Sequence, residues 1–143
     1  MHEDTIRLLE DCTAGIARTV SAIDGLLPEI RDHRLRQTLQ TGREAHLQLH
    51  QRSCELLQQV GGQVKTPSAL SLGLSRLRNS TRMGLGGDDT TAAYLVARDC
   101  ETGAKALCRS RNRYAGADAG ALSLTQALIT CEDRLSNGLR SYL

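Results

Sequence analysis

One stripe of positions near the start of the chain recurs in steps of three and four without a slip: Ile6, Leu9, Thr13, Ile16, Val20, Ile23, Leu27 and Ile30. That alternation keeps one face of a helix against a partner, so it predicts a helix over residues 3–30 with a bundle seam along it. Pro28 falls in the last turn, where it kinks or ends the helix, because a proline deeper inside costs about 3 kcal/mol and a hydrogen bond.

A second stripe follows after a short connection at residues 31–33: Leu35, Leu39, Gly42, His46, Leu49, Ser53, Leu56 and Val60. A link that short makes the first two helices an antiparallel hairpin. Gly61 and Gly62 are free to take the left-handed conformation that stops a helix. The 143 residues suit a single domain, and with no Phe, no Trp and three Tyr its core must be built from Leu, Ile, Val and Ala. Those residues pack well between helices, which favours an all-helical protein.

The stretch from 88 to 114 carries a third stripe, Val96, Cys100, Gly103, Leu107, Ser110 and Tyr114. Asp88 or Asp89 can cap its first turn, and Arg109, Arg111 and Arg113 sit near the negative end of its dipole. A glycine inside a helix costs about 1 kcal/mol against alanine, so Gly103 on the packed face points to a close neighbour there. Residues 115–117 then turn the chain, and Asp118 can cap a fourth helix with the stripe Ala121, Leu124, Leu128, Cys131, Leu135, Gly138 and Tyr142.

Residues 67–85 fit two patterns. Leu70, Leu74 and Leu77 form a helical face, whereas Leu70, Leu72 and Leu74 alternate as a strand would. A lone strand would leave its ladder groups unmet, so a short helix is expected, opened by Thr66 and Pro67 and serving as a crossover between two hairpins. The GLGG loop at 84–87 resembles a phosphate cradle, but the two aspartates after it would repel an anion. The expected architecture is an all-α four-helix bundle with a long helical crossover between helices two and three.

Charge and composition exclude several classes of function. The 18 basic and 16 acidic residues leave +2, far from the one-signed field that tracks nucleic acid, and aromatic platforms for single strands are missing. RSRNR at 109–113 does not change this, since Arg111 points away from the face shared by Arg109 and Arg113. No apolar run approaches the roughly 20 residues that span a bilayer, and MHEDTIR lacks a secretion signal, so a cytoplasmic setting is expected. Five scattered cysteines read as reduced, mostly buried thiols.

The order of these elements, with GGDD opening helix three, DCETG in its middle and LRSYL at the end, resembles an uncharacterised bacterial family of small ferritin-like four-helix bundles. The resemblance extends over nearly the whole chain and implies a ferritin-like fold, a cytoplasmic setting and no settled activity. Metal-binding proteins of that fold place Glu on two helices and Glu-x-x-His on the other two. Here Arg43 stands three before His46, Leu47 three before His50, and Leu135 three after Glu132, which counts against a di-metal carboxylate centre.

Helix one antiparallel to helix two, with helix two parallel to helix three, brings one mid-bundle layer together: Cys12 or Thr13, His46 or His50, Cys100 with Asp99, and Cys131 with Glu132. His46 and His50 share a helix face, and nearby thiols would favour zinc or another soft metal, with iron the other candidate. The alternative is a core of ordinary buried cysteines and a hydrogen-bonded histidine. Thiol catalysis lacks its parts: Cys100 has acidic neighbours that favour the neutral thiol, and Cys108, beside Arg109, has no His near it. The expected function is therefore non-catalytic, through self-association, for example as a dimer, or through a protein partner, with Leu72 and Leu85 among the apolar residues the seams leave over. A metal-handling or stress-related bundle with altered ligands is the alternative.

Overall fold

In the computed structural model, residues 2–62 and 88–143 are described. They form four helices: α1 (His2–Leu26), α2 (His33–Gln59), α3 (Asp89–Arg113) and α4 (Ala119–Leu139). Among the described residues there is no strand, and no helix is long and apolar enough to cross a membrane. The helix expected over 67–85, its start at Thr66 and Pro67, the GLGG loop, and Leu72 and Leu85 all lie outside the described residues.

The helix ends follow local chemistry. Around Pro28, α1 gives way at Leu26 to a single 3-10 turn (Leu27–Glu29), so it closes sooner than the stripe through Ile30 implies. Ile30 is buried nonetheless, because the 3-10 turn returns it to the core. The Asp32, Asp88 and Asp118 carboxylates each accept from the backbone N–H three residues on, at 2.8, 2.8 and 2.9 Å, and so cap α2, α3 and α4. At the end of α2, Gly61 takes φ +73° and the Gly62 N–H donates to the Leu57 carbonyl at 2.8 Å. Asp89 acts across the bundle instead. Its carboxylate accepts from the Arg31 and Asp32 N–H groups at 3.0 and 2.7 Å, pinning the α1–α2 connection to the start of α3.

Side-chain pairs set the directions. Along α1 and α4, the Asp118 N–H donates to Thr5, Cys12 meets Thr125 and Thr19 donates to Glu132, each pair 113 residues apart, so the two helices run parallel in constant register. Thr13 meets Ser53 at 2.8 Å and Asp24 meets Arg43, making α2 antiparallel to α1. Ser136 donates to Glu101 at 3.2 Å and Arg111 to Gln126, making α3 antiparallel to α4. Hence α2 and α3 are parallel, each packed on both α1 and α4, which themselves touch across the middle. Gly62 lies beside Ile6 at one end of the bundle and Asp89 beside Arg31 at the other, so the two ends joined by residues 63–87 are at opposite ends.

The interior has two apolar halves. One gathers Ile23, Leu26, Leu39, Val96, Leu135 and Leu139, and the other Leu8, Ile16, Leu57, Leu107, Leu124 and Leu128. Their aliphatic character is the one expected of a chain without Phe or Trp. Burial of these side chains, about 1.5–3 kcal/mol each for full burial, is the main stabilising force. Between the two halves lies a polar layer.

Candidate functional site

The polar layer is built from Thr19 on α1, His46 on α2 and Glu132 on α4, all buried. His46 Nε2 and Glu132 Oε1 are 2.8 Å apart, and the Thr19 hydroxyl donates to the same oxygen at 2.8 Å. The other imidazole nitrogen, Nδ1, lies 2.7 Å from the Gly42 carbonyl one turn back along α2. A carbonyl can only accept, so Nδ1 carries a hydrogen, and Nε2 shares a proton with the carboxylate. Cys131 adds a sulfur 3.5 Å from Nδ1.

Gly42 explains how α4 comes near enough. A Cβ there would fall 2.8 and 2.9 Å from the two Leu135 methyl carbons, so the bare backbone lets α4 close on α2 and brings Glu132 beneath His46. The close approach read from Gly103 takes another form: its neighbour is the Glu132 carboxylate, and an added Cβ would meet Cδ at an ordinary 3.7 Å. The tight helix contact is therefore at Gly42.

The surroundings shape the protons of this layer. Burial pulls the His46 pKa down, but its bonds to Cys131 and Glu132, with their charges, outweigh that and raise it to about 10. Cys100 is held well above the usual thiol range, by burial first and then by the charge of Glu132. Two turns away in the other apolar half, burial lifts Cys12 to about 11, partly offset by its bond to Thr125 and reinforced by Asp11. Neutral thiols are poor nucleophiles and poor ligands, so neither cysteine is prepared for chemistry.

The structure brings four of the expected site residues together: His46, Glu132, Cys131 and Cys100. The other two stand apart. His50 is half-buried and its ring faces Cys54 at 3.8 Å, while Asp99 is on the exposed side of α3. Cys12 and Thr13, expected in the same layer, pair with Thr125 and Ser53 instead. Among the described residues no three His, Cys, Asp or Glu side chains are arranged to hold a metal ion. The donor set gives the reason: both imidazole nitrogens are engaged, and a ligating histidine must offer one of them as a free lone pair. Among the described residues, Glu132 Oε2 is buried without a hydrogen-bond partner. Thr19 was not among the expected residues, although Thr5, Cys12 and Thr19 recur every seven positions, the spacing of a seam along one helix face.

Outside this closed layer, the same two helices form an open groove of about 790 Å³. Its floor is made of small side chains, Thr38, Gly42 and Ala45 on α2, and Ala127, Thr130 and Cys131 on α4. Cys131 is thus shared: it touches His46 on the inside and lines the groove on the outside. No family model, characterised protein or solved structure matches this chain.

Proposed function

We propose that this chain is a non-catalytic helical bundle that acts by binding a protein through the face between α2 and α4. The groove on that face carries the reading: it is open, of a volume that takes the side chains of a docked element, and floored by residues small enough to let another backbone approach. The inner polar layer supports it from the other side, because His46 and Glu132 are buried away from any substrate, and a closed pair of that kind serves as a structural fastening. The two parallel diagonals, α1 with α4 and α2 with α3, favour the resemblance to ferritin-like bundles, and binding is then a use of that architecture without its metal chemistry.

A photo-crosslinking amino acid placed at Gln48, on the groove, should give discrete adducts in cells that express the protein, whereas one placed at Lys105, on the exposed side of α3, should give none. Equal labelling from both positions, or none from Gln48, would defeat the proposal. Light scattering run alongside separates a second copy of the chain from a different protein.

A second reading, a bundle that holds zinc or iron at an altered site, draws on one observation, the unmatched Oε2 of Glu132. It requires His46 to release one of its two bonds, at about 1.5–3 kcal/mol for a hydrogen bond to a charged group. Elemental analysis of protein expressed with both metals supplied is expected to find less than one equivalent. One equivalent that disappears in both His46→Ala and Cys100→Ser would establish this second reading over the first.

A further inference from the structure

The charges along the groove say more about its occupant than its shape does. Arg34 and Arg134 both line it, no acidic residue does, and neither guanidinium forms an ion pair among the described residues. Residues 63–87 contain no Asp or Glu, so that stretch has no carboxylate to offer them either. Two arginines on an otherwise neutral floor of small side chains form a surface of one sign, and arginine is the cation best suited to gripping carboxylates.

Their spacing is set by the register of the walls. Gly42 lies against Leu135, which puts Arg134 level with residue 43 of α2. Arg34 is then about nine residues further toward the α2 N-terminus, some 13 Å along the axis at 1.5 Å per residue. The groove extends along α2 from Arg34 to Leu49, roughly 22 Å by the same rise. That length matches a helix of about four turns, and the distance between the arginines falls between the spacings of same-face positions two and three turns apart on it, about 11 and 16 Å, a difference that the long arginine side chains can bridge.

Resting on the reading that the α2–α4 face is the working surface, we infer that its occupant is an acidic amphipathic helix. Its apolar side chains would enter between Gly42, Ala45 and Ala127, and two carboxylates two to three turns apart would meet Arg34 and Arg134. A small amphipathic anion fits less well, because ligand pockets of that kind enclose about 70–90% of their guest and this groove is open. A second copy docked by the same face fits less well too: two-fold symmetry would bring four arginines into one interface with no acidic lining residue to answer them.

The test is a display library of 16-residue helical peptides, leucine on one face and each flanking position randomised between Glu and Lys, selected on the full-length chain. Selected peptides should carry Glu at two positions two to three turns apart. Their affinity should fall by about tenfold or more in the Arg34→Glu/Arg134→Glu variant, roughly 1.4 kcal/mol or more, and that variant should favour Lys-bearing peptides instead. Thr130→Trp, which fills the floor, should abolish selection while circular dichroism shows the helices intact. Peptides that need the groove but show no preference for Glu would overturn the acidic partner and leave the binding face standing. Selection indifferent to Thr130→Trp would remove both. Oleate displacing the peptides at lower concentration than it needs in the charge-reversed variant would reassign the groove to a free anionic amphipath, and a dimer that Thr130→Trp converts to monomer would reassign it to a second copy.

Discussion

Glu132→Leu should lower the stability of the fold by about 3–5 kcal/mol, the usual cost of stripping one member from a buried ion pair. The variant leaves the His46 imidazole inside the core with a proton-sharing nitrogen and no acceptor, because Oε1 of Glu132 is the atom that Nε2 faces. His46→Leu should cost a similar amount, since Glu132 would keep only the Thr19 hydroxyl. The double variant His46→Leu/Glu132→Leu is expected to be less damaged than either single one. Two leucines bring no buried charge, and they would join the apolar halves above and below the layer. Urea unfolding of the four proteins closes the cycle, with a coupling between the two sites at least as large as the cost of one single variant, about 3–5 kcal/mol. Simple additivity would mean that the pair does not act as a unit.

The same pair should make the fold sensitive to alkali well before Cys12 and Cys100 ionise. The His46 pKa rises from 6.5 to about 10 on folding, so the folded state holds a proton that the unfolded chain releases earlier. A raised pKa of this kind stabilises fully below about pH 6.5 and is lost as pH climbs toward 10, at about 1.4 kcal/mol per pH unit. Between pH 6.5 and 8.5 the loss should therefore reach roughly 2–3 kcal/mol. Cys12 and Cys100 are also shifted upward, and with the same sign, but their ordinary value is 9.0, so their contribution begins above this window. Asp88 is shifted down by its bonds to Thr91 and acts only on the acid side. Denaturation midpoints measured across the window should fall for the natural chain and stay level in His46→Leu/Glu132→Leu. A natural chain with level midpoints would show that His46 does not hold the extra proton.

These two expectations concern stability, and they bear on function through Cys131. It joins the fastening inside to the groove outside, so a partner seated in the groove lies one side chain from the layer that holds α2 and α4 together. Loosening the layer should widen the groove, and peptide affinity should weaken along with stability in the single variants.

Much of the fold was legible in the order of residues. The three-and-four alternation of α1 and α2, the glycine pair after Val60 and the aspartates at 32, 88 and 118 each act within a turn or two of chain, and local hydrogen bonds and side-chain volume decide such features. The candidate site was half legible. His46 and Cys131 lie on the expected stripes and Glu132 and Cys100 beside or on them, but nothing local says that the inward face of His46 meets the Glu132 carboxylate. That meeting depends on the vertical register of α2 against α4, which is set by Gly42 closing on Leu135 far away in the sequence. The placement of Asp99, by contrast, has a local origin: it neighbours Cys100 in the chain, and the 100° step of a helix turns it to the exposed side.

What the chain alone determined, then, is where helices begin and end and which face of each is apolar, because propensity, capping and periodicity are properties of short stretches. What only the tertiary structure decided is the pairing across those faces: the parallel seam of α1 and α4, the single proton shared by His46 and Glu132, and the groove whose two arginines meet no acidic side chain among the described residues. Contacts between residues about a hundred positions apart depend on how rigid helices slide and rotate against each other, and sub-turn shifts that leave every stripe intact exchange one buried neighbour for another.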